Sequence, residues 1–319
     1  MLDVTALGEL LIDFTPSGFS KEGNALFEKN PGGAPANVLA CISRLGGTAA
    51  FIGKVGDDIF GHFLEEVLRK HGIETRGLKF SKEAKTTLAF VELDNKGDRS
   101  FSFYRNPGAD TLLEPSDIDV ELIKSSKIFH FGSLSLTDEP SKSATLAAIK
   151  TARESGCILS YDPNLRPALW KSQNDAKENI SSLLGYADIL KVSEEELEFL
   201  TGGNGLDKGS LKLCKSYGIK IILVTRGPEG CYYRFEDVTG ESPAFRDVNT
   251  VDTTGAGDAF LGGFLHSFLY GGGKFEGLTK DSLAGMVEFA NAAASLSTSK
   301  KGAIPAMPGL SDVHELLSK

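Results

Sequence analysis

Short apolar runs alternate along this 319-residue chain with longer segments of helical period, and that alternation constrains the fold most. Residues 4–7, 49–52, 128–131, 157–161, 189–192 and 219–224 form brief apolar runs that read as strands buried on both faces. Residues 58–71, 141–155, 194–201 and 208–217 carry helix-period patterns between or after them, and 256–270 and 281–298 add two longer ones. Strands that alternate with helices are joined by crossovers, so they run mostly parallel with helices on both faces. The predicted fold class is α/β, a three-layer α/β/α core around a mostly parallel central sheet.

One region breaks the rhythm. Residues 86–93 and 99–104 are strand-like runs with no helix between them, and the linker 94–98 has turn chemistry. In the second run Phe101 and Phe103 alternate with Ser100, Ser102 and Tyr104. Residues 13–27, with Pro16, Gly18 and Gly23, supply further strands. A small β-sheet built from about 13–28 and 86–105 is expected as a lid on one domain spanning 1–319. A plain surface hairpin is the alternative.

Composition removes several function classes. The net charge of −9, from 34 basic and 43 acidic residues, argues against nucleic acid as the main partner. A phosphorylated small ligand needs only a few placed cations. Cys41, Cys157, Cys214 and Cys231 are scattered without metal-ligand spacing and read as free thiols. The five histidines form no local zinc pattern. The start of the chain lacks a basic, apolar leader, and no apolar run is long enough to span a bilayer. A cytoplasmic protein with no membrane partner is expected.

The strongest chemical signal is Val251-Asp252-Thr253-Thr254-Gly255-Ala256-Gly257-Asp258, directly before a helix pattern. Gly255 and Gly257 lack side chains, so backbone N–H groups at the helix start can approach an anion closely. Those donors and the helix dipole would stabilise charge on a phosphoryl group in transfer. Asp258 in the first turn is placed to accept a proton from an attacking hydroxyl. A dinucleotide-binding fingerprint fails because position 260 is Phe, and neither Gly53-Lys54 nor Gly273-Lys274 completes a P-loop. A second cluster, Asn30-Pro31-Gly32-Gly33-Ala34-Pro35-Ala36-Asn37, places two glycines before another helix start. Its N–H groups and the Asn37 amide suit sugar hydroxyls, although a turn with a helix cap reads equally well.

Together these two clusters resemble the paired motifs of the PfkB (ribokinase-like) carbohydrate kinases. Segments 8–13, 53–61, 162–166, 192–196 and 224–230 fit in the same order, so the resemblance runs from about residue 3 to 310. It implies a ribokinase-like fold, ATP as phosphoryl donor, Mg²⁺ and, in many members, K⁺. It implies Asp258 as catalytic base with Gly255, Ala256 and Gly257 as the anion hole. Asp13, Gly32, Gly33 and Asn37 would bind the sugar. Lys191, Ser193, Glu196, Thr225, Gly227, Gly230 and Asn291 would serve ATP, with Asn291 near the adenine and Glu196 acting on Mg²⁺ through water. Position 193 is Ser where the family pattern Asn-x-x-Glu has Asn. The monovalent cation would take Asp252, Thr254 and the carbonyls of Ser297, Lys300, Gly302 and Ala306.

The stretches 103–110 and 162–170 resemble fructokinases most, with 2-keto-3-deoxygluconate kinases similar at the same places. With fructose, Arg105 would hold the sugar and Arg166 steady phosphate charge; with a sugar acid, both would pair with its carboxylate. D-Fructose, giving fructose 6-phosphate, is the favoured substrate. A non-catalytic sugar-binding regulator is the remote alternative. A homodimer through the lid is expected if Phe101 and Phe103 face outward.

Overall fold

The computed structural model describes residues 1–93 and 99–319; the turn expected at 94–98 and the side chain of Phe101 lie outside the described residues. In chain order the strands are β1 (Leu2–Leu7), β2 (Leu11–Phe19), β3 (Ala25–Gly32), β4 (Ala49–Gly56), β5 (Ile73–Ser81), β6 (Leu88–Leu93), β7 (Arg99–Tyr104), β8 (Ser126–Phe131), β9 (Ile158–Tyr161), β10 (Ile189–Ser193), β11 (Ile221–Thr225), β12 (Cys231–Phe235) and β13 (Val238–Ser242). The helices are α1 (Ala34–Arg44), α2 (Ile59–Lys70), α3 (Val120–Lys124), α4 (Ser141–Glu154), α5 (Gln173–Leu184), α6 (Glu194–Thr201), α7 (Gly205–Tyr217), α8 (Ala256–Tyr270), α9 (Lys280–Ser297) and α10 (Leu310–Leu317).

Nine strands form the main sheet in the order β13-β12-β11-β10-β9-β8-β1-β4-β5. Every pairing from β11 to β5 is parallel, and β12 and β13 close one edge as an antiparallel hairpin. Successive residues of each central strand enter opposite cores. Ile221 and Leu223 pack with α1, α8 and α9, whereas Ile222 and Val224 pack with α4, α5 and α7. That two-sided burial makes the runs continuously apolar, as a covered parallel sheet requires.

All six expected strands form. Strand β5 was not expected: its exposed Glu74 and Arg76 interrupt the apolar pattern of an edge strand that buries one face only. The β12–β13 hairpin follows β11 too closely to leave room for the alternation, turning at Glu236 with φ +51°. Helix α5 buries only Ala176, Ile180, Leu183 and Leu184, too thin a stripe to stand out among its polar neighbours.

The second sheet is four-stranded, in the order β3-β2-β6-β7. It extends to Gly32, beyond the expected limit near residue 28. Its register pairs Asp13 with Asn30 and Ala89, and Ala89 with Phe103, so these four residues share one face. The opposite face carries Phe14, Phe27, Phe90 and Tyr104, with Phe14 and Phe90 stacked at 4.9 Å. Tyr104 is 67% and Phe27 44% exposed. The outward aromatics are therefore not Phe103, which points to the side of Asp13; pairing with Ala89 fixes its direction.

Candidate active site

The site lies at the C-terminal ends of the parallel strands, where open α/β sheets place their ligands. Helix α8 starts there. Gly255 caps it in the left-handed conformation, φ +79°, where a Cβ would come within 2.6 Å of Ala303 Cβ. The Ala256 N–H is engaged by the Thr253 carbonyl at 3.2 Å. The N–H groups of Gly255 and Gly257 receive no such partner among the described residues, so they are the open donors of the expected anion hole. A Cβ on Gly257 would lie 3.1 Å from Lys191 Nζ, so the ammonium stands against the bare backbone.

Asp258 follows in the first turn and is buried. Asn37 Nδ2, on α1, donates to Asp258 Oδ2 at 2.7 Å. Asn37 Oδ1 is buried without a partner among the described residues. Burial raises the Asp258 pKa above its ordinary value; Lys191, the Asn37 hydrogen bond and Arg166 offset part of that rise. A carboxyl group held this way is more basic than a solvated one, as a proton acceptor must be.

Register brings Lys191 to Asp162. Parallel pairing of Ile189 with Ser160 and Leu190 with Tyr161 puts the next two residues side by side, and Lys191 Nζ meets Asp162 Oδ2 at 2.9 Å. Both side chains are under 10% exposed. Burial alone would lower the Lys191 pKa, but Asp162, Glu196 and Asp258 raise it. Glu196, in the first turn of α6, accepts from Leu165 N at 2.6 Å through Oε1 and from Ser193 N at 2.7 Å through Oε2. Ser193 Oγ in turn accepts from Glu196 N at 3.1 Å, completing a capping box. Ser193 thus works as a helix cap that fixes the orientation of Glu196. Burial raises the pKa of Asp162 and of Glu196, each with carboxylate neighbours adding to the rise.

Asp13 faces this group from the second sheet. Burial pushes its pKa to about 6, Arg166 pulls it down, and Asp258 and Asp252 add to the rise. Gly32 lies so close to Asp13 Oδ2 that no side chain fits there. Gly33, φ +119°, is held equally tightly against the Glu9 carbonyl. Arg166 is half-buried, and its charge bears on Asp13, Asp162 and Asp258 together.

Arg105 is committed elsewhere. Its Nε donates to Asp110 Oδ2 at 2.7 Å, Nη1 to Thr137 Oγ1 at 2.8 Å and Nη2 to the Leu134 carbonyl at 3.0 Å. It therefore ties the end of β7 to the core. Buried Glu9 lies nearby, its pKa pushed by burial to about 7.

A cleft of about 590 Å³ opens beside α8, lined by Thr225, Gly227, Gly230, Asn291, Ala256 and Gly257 among others. Asn291 Nδ2 donates to the Ser242 and Pro243 carbonyls at 2.9 and 3.2 Å, fixing one end. Gly230, φ +92°, packs against the Ser242 carbonyl with no space for a Cβ. The expected nucleotide residues thus surround one cleft that ends at the α8 N-terminus, except Lys191, Ser193 and Glu196, which are not among its lining residues.

Asp252 Oδ1 accepts from Thr254 N and Oγ1 at 2.9 and 2.7 Å, and Oδ2 accepts from Gly302 N at 3.0 Å. The carbonyls of Ser297, Lys300, Gly302 and Ala306 accept no hydrogen bond among the described residues. Sequence reasoning gave Asp162 no role of its own, although an Asp-Pro-Asn directly after a strand was the available signal. No helix among the described residues is long and apolar enough to cross a membrane.

Comparison with known proteins agrees with this geometry. The model for the pfkB family carbohydrate kinases matches residues 1–309. Probable fructokinase-2 of Arabidopsis thaliana is 48% identical over 307 residues, covering 96% of this chain and 92% of its own. The fructokinase of Xylella fastidiosa with bound ATP superposes with a TM-score of 0.90 at 33% identity, covering 99% of this chain and 98% of that one. A double-mutant fructokinase of Vibrio cholerae O395, in fructose, ADP and potassium ion bound form, gives 0.88 at 35%, with coverage of 99% and 98%. With the motif-bearing loops of both clusters gathered at one end of a ribokinase-like sheet, the chain belongs to the pfkB family of carbohydrate kinases.

Proposed function

We propose that this protein is an ATP-dependent fructokinase that transfers the γ-phosphoryl group to D-fructose, giving fructose 6-phosphate. The observation that carries the reaction is the buried Asp258 carboxylate, fixed by Asn37 beside the open N–H groups of Gly255 and Gly257. The sugar identity is supported by the named fructokinase relatives.

In this reading Asp13, Gly32, Gly33 and Asn37 bind sugar hydroxyls, and Arg166 balances the carboxylates around them. Arg105 acts by holding β7. Asp258 Oδ accepts the proton of the attacking hydroxyl while the hydroxyl oxygen forms its bond to phosphorus. The α8 N-terminus and Lys191 offset charge on the transferred group. Thr225, Gly227, Gly230 and Asn291 hold the nucleotide. The second sheet closes over the sugar and excludes water.

The donor chemistry fits a hydrated divalent cation: the carboxyl groups of Asp162, Glu196 and Asp258 are gathered around Lys191. Glu196, its orientation fixed by two backbone N–H groups, would hold the water shell of Mg²⁺. Bound there, Mg²⁺ neutralises phosphate charge. The four open carbonyls beside Asp252 have the donor chemistry of a K⁺ site. Partners are the sugar and ATP, with no nucleic acid and no membrane. A second copy meeting the outer aromatic face of the small sheet is the proposed homodimer contact. The four free cysteines suit a reducing compartment, and we propose the cytoplasm.

The deciding test is a coupled ADP-release assay with D-fructose, 2-keto-3-deoxygluconate and ribose. Turnover highest on fructose supports the proposal. Preference for the sugar acid would move Arg166 to carboxylate recognition, and no turnover with intact fructose binding would indicate a sensor.

A further inference from the structure

The cleft beside α8 is nearly devoid of charge. Among its lining residues Arg246 alone carries an ionic side chain; the rest are small, apolar or neutral polar groups. Arg246 is exposed and forms no ion pair among the described residues. An unpaired guanidinium at the wall of a neutral cleft is a cation without a counter-charge.

Its level along the cleft follows from helix α9. The chain leaving β13 meets α9 first at Asn291, whose Nδ2 donates to the Ser242 and Pro243 carbonyls. One turn further on, Phe245 N donates to Ser295 Oγ at 3.2 Å. The last contact is at Thr298, whose carbonyl accepts from Val251 N and Asp252 N. Four residues of α-helix rise about 6 Å and seven about 10 Å. Arg246, next to Phe245, therefore sits roughly midway between the Asn291 end and the anion-binding α8 N-terminus. The neutral lining at the Asn291 end, where Ala244 follows Pro243, suits a base, and Lys191 stands against Gly257 at the far end. The middle is where a nucleoside triphosphate carries its α- and β-phosphates, and no other lining side chain offers them a positive charge.

We infer that Arg246 binds the α/β-phosphates of the nucleotide and so sets affinity for nucleoside di- and triphosphates. This rests on the proposed ATP-dependent reaction. Arg246 is an affinity residue that touches neither the sugar nor the transferred group. A guanidinium can bridge two phosphate oxygens with paired N–H donors, which a lysine or glutamine cannot reproduce in full.

The test is titration of the full-length wild-type protein and Arg246→Gln with MgADP and, separately, with adenosine, beside steady-state kinetics. For an exposed charged contact, MgADP affinity should fall about tenfold in the variant and the KM for MgATP rise alike. Adenosine affinity, kcat and the KM for fructose should stay within about twofold, and Arg246→Lys should recover part of the loss. Unchanged MgADP binding would overturn the inference. An equal loss for adenosine would overturn the phosphate assignment in favour of a base contact. A wild-type protein that binds neither MgADP nor MgATP would instead overturn the kinase reading itself, so the two failures are distinguishable.

Discussion

Asn37 Nδ2 donates to Asp258 Oδ2 across 2.7 Å, joining the first turns of α1 and α8. The two helices pack against each other beneath the site, where a Cβ on Gly262 would come within 2.6 Å of Cys41 Cβ. The carboxylate is thus aimed by an amide from a second helix. Asp258→Asn removes the proton acceptor at nearly constant shape, so kcat should fall by about 10³-fold or more with fructose affinity within a few-fold. Rapid-quench turnover and fructose titration check this, and near-normal turnover would remove Asp258 from the chemistry.

The same contact predicts a pH effect. The Asn37 hydrogen bond lowers an Asp258 pKa that burial has raised. In Asn37→Ala that stabilisation of the ionised form is gone, so the acid limb of kcat against pH should move to higher pH than in the wild type. A lower kcat with an unmoved limb would mean that Asn37 acts only through packing or sugar contact.

The Lys191–Asp162 pair makes a thermodynamic prediction. Both partners are buried, so removing either leaves an uncompensated charge. Lys191→Met and Asp162→Asn should each cost about 2–4 kcal/mol. The double variant should cost less than the sum, with a coupling of about 1–3 kcal/mol. Urea unfolding of the four proteins without ligand measures this cycle, and strict additivity would show that the pair does not interact.

Much of the architecture was readable because physics wrote it locally. A sheet covered on both faces demands unbroken apolar strands, and those six runs are strands. The glycine loops were legible for a similar reason: Gly33 and Gly255 adopt positive φ against neighbouring atoms that leave no space for a side chain. Strand β5 was illegible because it buries only one face. The role of Asp162 was hidden because it depends on register between β9 and β10, a relationship no local spacing encodes. Ser193 stands where the family pattern has Asn, and it keeps the capping chemistry that Ser shares with Asn. Arg105 and Arg166 were alike in sequence. Burial beside Asp110 separates them, giving one to the scaffold and leaving the other among the site carboxylates.

Monovalent cations supply another test. With Mg²⁺ saturating, turnover in KCl should exceed turnover in choline chloride by several-fold. Asp252→Ala should lose the stimulation, because Asp252 holds the Gly302 amide and the Thr254 hydroxyl that shape the carbonyl set. Equal rates in both salts would show that these carbonyls have no role in turnover.

Glu9 carries the last prediction. Burial pushes its folded pKa to about 7, against an ordinary value of 4.5. The folded protein therefore holds this proton more tightly than the unfolded chain does. A raised carboxyl pKa makes stability fall as pH rises through the window between the two values, here from about 4.5 to 7. A shift of that size corresponds to about 3 kcal/mol. Glu9→Gln keeps an oxygen to accept from Ala34 N and removes the titration. The stability difference, variant minus wild type, should thus be more positive at pH 8 than at pH 4.5 by roughly 2–3 kcal/mol. Urea unfolding at the two pH values measures it. A difference independent of pH would place the Glu9 titration at its ordinary value and remove burial as its controlling influence.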